Sequence, residues 1–65
     1  MKPSKEGQKV KYHTTFPDED PDQIYLVLEV KPGTEDTRVD ISPLNIGLVF
    51  PPVYTVKAED LFVVD

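Results

Sequence analysis

The chain has 65 residues, twelve acids against seven bases for a net charge of −5, seven prolines and no cysteine. A length of this order makes one domain with a small core, because only about 60% of the unfolded surface is buried on folding. The composition excludes a disulfide framework and thiolate chemistry, and an acidic body repels nucleic acid and anionic membranes at long range.

A staple-free small domain suits a reducing compartment. The charged opening Met1–Gly7 has no apolar stretch behind it of the kind a secretory signal needs, so the expected location is cytoplasmic. The longest apolar run, Ile24–Leu28, is far short of the ~20 residues of a membrane span. Charge is uneven along the chain. Residues 1–13 hold four lysines against Glu6, a local +3, which leaves −8 for the rest. Residues 1–6 are expected to be a disordered arm, and residues 7–65 a single domain.

No window repeats apolar residues with helical period, and the prolines would interrupt any helix. Val10, Tyr12, Thr14 and Phe16 alternate with Lys9, Lys11, His13 and Thr15, which predicts a half-buried first strand. A polar loop follows, from Phe16-Pro17 through Asp18, Asp20 and Asp22. Ile24–Val30 is the predicted central strand, with Ile24, Leu26, Leu28 and Val30 inward and Tyr25, Val27 and Glu29 outward. Pro32-Gly33 sets a chain reversal. Arg38–Ile41 is a short third strand, halted by Pro43, which has no N–H to donate. Residues 44–52 form an irregular apolar connection. Val53–Val56 is the fourth strand, Lys57–Asp60 one tight helical turn, and Leu61–Val64 the last strand. Five short strands of this kind predict an all-β fold, a small closed five-stranded barrel with one short 3-10 turn before its last strand.

The residues Gly7-Gln8-Lys9-Val10 ("G-x-x-V"), the strand Tyr25–Val30 and the ending Tyr54–Val64, with its Val56–Leu61 turn ("V-x-x-x-D-L"), resemble small bacterial SH3-like barrel domains. The resemblance runs over residues 7–64 and is carried by architectural motifs. It implies a barrel fold and a habit of binding, with no catalytic residue to transfer. Eukaryotic SH3 domains recognise proline-rich peptides through a row of aromatics and an acidic loop. This chain has the acidic loop but no tryptophan and no tyrosine pair in the usual arrangement.

His13 is the sole histidine, and strand alternation turns it to solvent beside Lys9 and Lys11. Asp18, Asp20, Asp22 and Glu29 stand at positions 1, 3, 5 and 12 of a calcium-loop pattern. Gln23 occupies the place that needs glycine, however, and strand geometry carries Glu29 away from the aspartates. The segment reads as a solvated acidic loop, with a weak cation patch as the lesser reading. No phosphate loop, Ser/His/Asp set or Cys/His cluster is present, so the expectation is a non-catalytic module without cofactor or metal.

Apolar residues exceed what a barrel interior of this size holds. Tyr25, Val27, Phe50, Tyr54 and Phe62 are the candidate partner contacts, with Asp18, Asp20 and Asp22 giving preference for a basic protein partner. The bland alternative folds residues 44–52 over Tyr25 and Val27 as a second mini-core. The other functional reading is a nucleic-acid-associated barrel using Lys9, Lys11, His13 and Arg38. A monomer or weak homodimer with no membrane contact is expected.

Overall fold

The computed structural model describes residues 1–64. It is all-β, with strands β1 (Lys9–Tyr12), β2 (Tyr25–Pro32), β3 (Thr37–Pro43), β4 (Tyr54–Lys57) and β5 (Leu61–Val63), and a 3-10 turn at Ala58–Asp60 between the last two. All neighbours pair antiparallel in one sheet of order β4-β3-β2-β1-β5. Hydrogen bonding does not close that sheet, because β4 and β5 form its two ends. Those ends are nevertheless joined by three residues, a 3-10 turn rising about 2 Å per residue. Five flat strands would hold the outermost pair about 19 Å apart, at about 4.8 Å per strand. The sheet therefore curls strongly.

The core lies on the inside of this curl. Val10, Val27, Val39, Ile41, Ala58 and Leu61 are buried, with Tyr12, Tyr25, Val30, Val56 and Val63 packed against them. Residues paired across strands share a face, and the register lines these side chains up. Val63 stands opposite Val10, which stands opposite Tyr25. Val27 faces Ile41, which faces Tyr54, and Val30 faces Val39, which faces Val56.

The central strand turns the opposite way from its predicted phase over its first half. Val27, expected outside, is only 1% exposed, while Leu28, expected inside, is 39% exposed. A bulge explains both. Val27 pairs with Ile41 and Glu29 with Asp40, so Leu28 has no opposite number. An extra residue reverses the in–out alternation beyond it. Odd positions 25 and 27 point inward before the bulge, and even position 30 after it. The first strand also stops early, at Tyr12, leaving Phe16 exposed in the following loop.

The N-terminal residues run back along the sheet. The N–H of Gly7 donates to the Val27 carbonyl and that of Val27 to the Gln8 carbonyl, both at 2.9 Å. Gln8 Oε1 accepts the N–H groups of Ser4 and Lys5, Pro3 is buried, and Val63 N–H donates to the Met1 carbonyl at 2.8 Å. This last bond covers the outer edge of β5. The edge of β4 has no such cover among the described residues.

On the outer face Glu29 stands opposite Asp40, and Lys31 relieves the repulsion by reaching both, at 3.9 and 3.2 Å. Thr55 Oγ1 donates to Asp40 Oδ1 at 2.6 Å. The Thr55 hydrogen bond, and then Lys31, hold the Asp40 carboxyl below its ordinary value. A carboxyl whose folded pKa is depressed stabilises the fold above its unfolded pKa and loses that contribution as pH falls through the folded one. Thr55→Val is expected to raise the Asp40 midpoint in a carbon-detected NMR titration and to bring acid unfolding to a higher pH. An unchanged midpoint would assign the shift to Lys31 and Glu29 instead.

Candidate functional site

The long loop between β1 and β2 is built by local hydrogen bonds suited to its residue types. Glu19 N–H donates to the Phe16 carbonyl, and Glu19 Oε1 accepts the Phe16 N–H at 2.8 Å, a reciprocal pair that folds residues 16–19 into one turn. Asp20 Oδ1 accepts the Asp22 N–H at 2.9 Å, the self-bonding turn aspartate favours. Gln23 then fastens the loop to the sheet, its Nε2 donating to the carbonyls of Ile24 and Leu44. Leu44 N–H returns a bond to the Ile24 carbonyl.

This arrangement leaves a hollow of about 220 Å³ lined by Tyr12, Thr15, Glu19, Asp20, Pro21, Gln23 and Tyr25. Tyr12 and Tyr25 meet edge to face there, with ring centroids 5.4 Å apart and planes at 86°. Burial first, and then the neighbouring charges, raise both phenols above their usual value. Glu19 acts on both, Asp20 on Tyr25 and Asp60 on Tyr12. Both hydroxyls therefore stay protonated at neutral pH in a region of negative potential. A second hollow of about 190 Å³ backs onto the first, sharing Asp20 and Gln23 and adding Asp22, Ile24, Leu44 and Asn45. The acidic loop is the wall between them.

The candidate contacts from the sequence are thus dispersed. Tyr25 lines the first hollow and Asp20 lines both. Asp22 lines the second and pairs with Lys11 at 3.7 Å, while Asp18 is exposed and lines neither. Val27 is core and out of any partner's reach, which corrects its selection as a contact. Tyr54 is half-exposed on the inner face of the edge strand, near enough to Tyr12 and Tyr25 to help raise both phenols. Phe62 lies on the outer face opposite Lys11, its ring 5.1 Å from that of His13. Phe50 is 90% exposed and Val49 85%, so residues 48–50 do not form the second mini-core weighed from the sequence.

Sequence reasoning passed over Tyr12 and Glu19 as site residues. Tyr12 read as core by alternation, and it is half core and half hollow. Glu19 carried one overlooked signal, its position three residues after Phe16, where a carboxylate can close a turn.

Among the described residues no group of three His, Asp or Glu side chains is placed to hold a metal ion. Glu29 is held in the sheet by its Asp40 pairing and Lys31, away from Asp18–Asp22. The basic residues do not make one stripe either. Lys9, Lys11 and His13 follow one another along the outer face. Arg38 sits two strands away opposite Lys31 and Lys57, where Asp36 pairs with both Arg38 and Lys57. No helix among the described residues is long and apolar enough to cross a membrane. In comparisons with known proteins, no family model, curated protein or solved structure matches the chain.

Proposed function

We propose that the chain is a non-catalytic protein-interaction module, an SH3-like barrel that takes a basic segment of a partner protein in the hollow beside its acidic loop. The barrel reading is supported by the curled five-strand sheet and by the three-residue turn that brings its end strands together. The binding reading rests on one observation: two half-buried tyrosines in edge-to-face contact share a hollow with Glu19 and Asp20. A guanidinium or ammonium group entering there meets ring faces and carboxylates together, the combination that favours a cation over any anion or neutral group. Electrostatic attraction of this kind steers encounter and sets preference, while the ring contact supplies short-range affinity.

The test is a titration with an arginine-rich decapeptide, and a glutamate-rich one as control, followed by NMR of the tyrosine rings. The basic peptide is expected to shift the Tyr12 and Tyr25 resonances and the acidic one to leave them unchanged. The double variant Glu19→Gln with Asp20→Asn keeps the acceptor oxygens that fold the loop. It should lower affinity by roughly tenfold, with a shallower salt dependence. An unaltered affinity, or tyrosine rings indifferent to millimolar basic peptide, would overturn the reading.

A further inference from the structure

The two edges of the sheet are treated differently. The Met1 carbonyl covers β5, but β4 ends the sheet with no strand beyond it. The direction of its backbone groups follows from the pairing. Leu44 N–H bonds to Ile24, so Ser42 also faces β2, and Ile41 therefore faces β4 and exchanges bonds with Tyr54. Thr55 then presents its N–H and C=O outward, as does Lys57 by the same alternation. Pro51 and Pro52, which have no N–H, stand just before the strand on one side, and the 3-10 turn ends it on the other. Thr55 is the outward residue nearest the middle of this open edge.

Leading into β4 and on its first residue stand Leu48, Val49, Phe50, Val53 and Tyr54, all exposed and within seven residues of one another. Together they expose on the order of 600 Å², backbone atoms included, of the same order as the ~800 Å² each partner gives to a standard interface. The patch holds no charge. Lys57, three residues further along the strand, is answered within the chain by Asp36 at 3.9 Å. A basic partner gains nothing from this surface, whereas an identical neutral surface does.

We infer that the β4 edge and the adjoining 48–53 loop bind a second copy of this chain, β4 pairing antiparallel with its counterpart about a two-fold axis at Thr55. In that register Tyr54 of each copy stands opposite Val56 of the other, on the inner face, and Val53 opposite Lys57. The arrangement closes on itself, because each copy has one open edge and uses it once.

The experiment uses the whole chain, which has no cysteine of its own. Sedimentation equilibrium from micromolar to millimolar concentration is expected to approach twice the 7.4 kDa chain mass. Phe50→Ser is expected to weaken that association at least tenfold with an unchanged far-UV spectrum. Thr55→Cys, opposite itself across the axis at about 5.5 Å between Cα atoms, should oxidise to a linked dimer faster than Glu35→Cys, which lies off the axis beyond the Lys57 end of the strand. A mass that stays at one chain throughout would overturn the inference. So would a dimer that Thr55→Cys links no faster than Glu35→Cys.

Discussion

Ile41→Ala leaves the protein largely unfolded at 25 °C, while Leu28→Ala leaves it folded, as urea titrations followed by far-UV circular dichroism are expected to show. Ile41 is fully buried at the middle of the sheet, between Val27 on one side and Tyr54 on the other. Truncating such a side chain costs about 2–5 kcal/mol in lost transfer energy and cavity. A core of this size supplies only about 3–5 kcal/mol of net stability, so the loss is comparable with the whole. Leu28 sits at the bulge with its side chain in water for more than a third of its surface, and its removal costs below about 1 kcal/mol. Val27→Ala, at a buried position next to the bulge, falls between the two. If Leu28→Ala moved the urea midpoint as far as Val27→Ala does, the bulge would be misplaced and the strand would have its simple alternation.

The second large effect is at the β2–β3 turn. A Cβ added to Gly33 would lie 2.4 Å from the backbone carbonyl oxygen of Asp36, closer than any real contact and against an atom that cannot swing aside. Gly33→Ala therefore forces the turn open at the end of the longest strand pairing in the sheet, which runs from Tyr25–Pro43 to Pro32–Thr37. A backbone displacement of this kind costs roughly 2 kcal/mol, which lowers Tm by roughly 10 °C in a domain this small. Gly47→Ala is the control. Its φ of +75° disfavours a side chain, but the space around it is open, so the cost is only the left-handed strain of about 1 kcal/mol. Calorimetric scans giving Gly47→Ala the larger loss would contradict the turn geometry.

Strand number, order along the chain and most turns were readable because they depend on local chemistry. Pro32-Gly33 reverses the chain where predicted, and the 3-10 turn falls within the predicted Lys57–Asp60. The last strand turns Leu61 inward and Phe62 outward, as the choice of Phe62 for a surface contact requires. The central strand did not, because a bulge has no signature in a run of five apolar residues. Ile24-Tyr25-Leu26-Val27-Leu28 suits either face, and only pairing with Ile41 and Asp40 selects the odd positions. Phe16 failed for a related reason. Alternation carried the first strand past Tyr12, but Glu19 draws the Phe16 backbone into a turn and leaves its ring in solvent. The hollow was hidden because it joins residues from the end of one strand, the loop after it and the start of the next. The acidic loop could be seen in the sequence, but not which of its carboxylates faces the tyrosines.

The pairing of β1 with β5 sets the pace at which this fold is reached. Val10 lies opposite Val63 and Tyr12 opposite the buried Leu61, partners about fifty residues apart along the chain. Until that long loop closes, β1 lacks one of its two neighbours and the core one wall. Loop-closure entropy is lost before those contacts return anything, so the docking of β5 on β1 is the step expected to limit the folding rate.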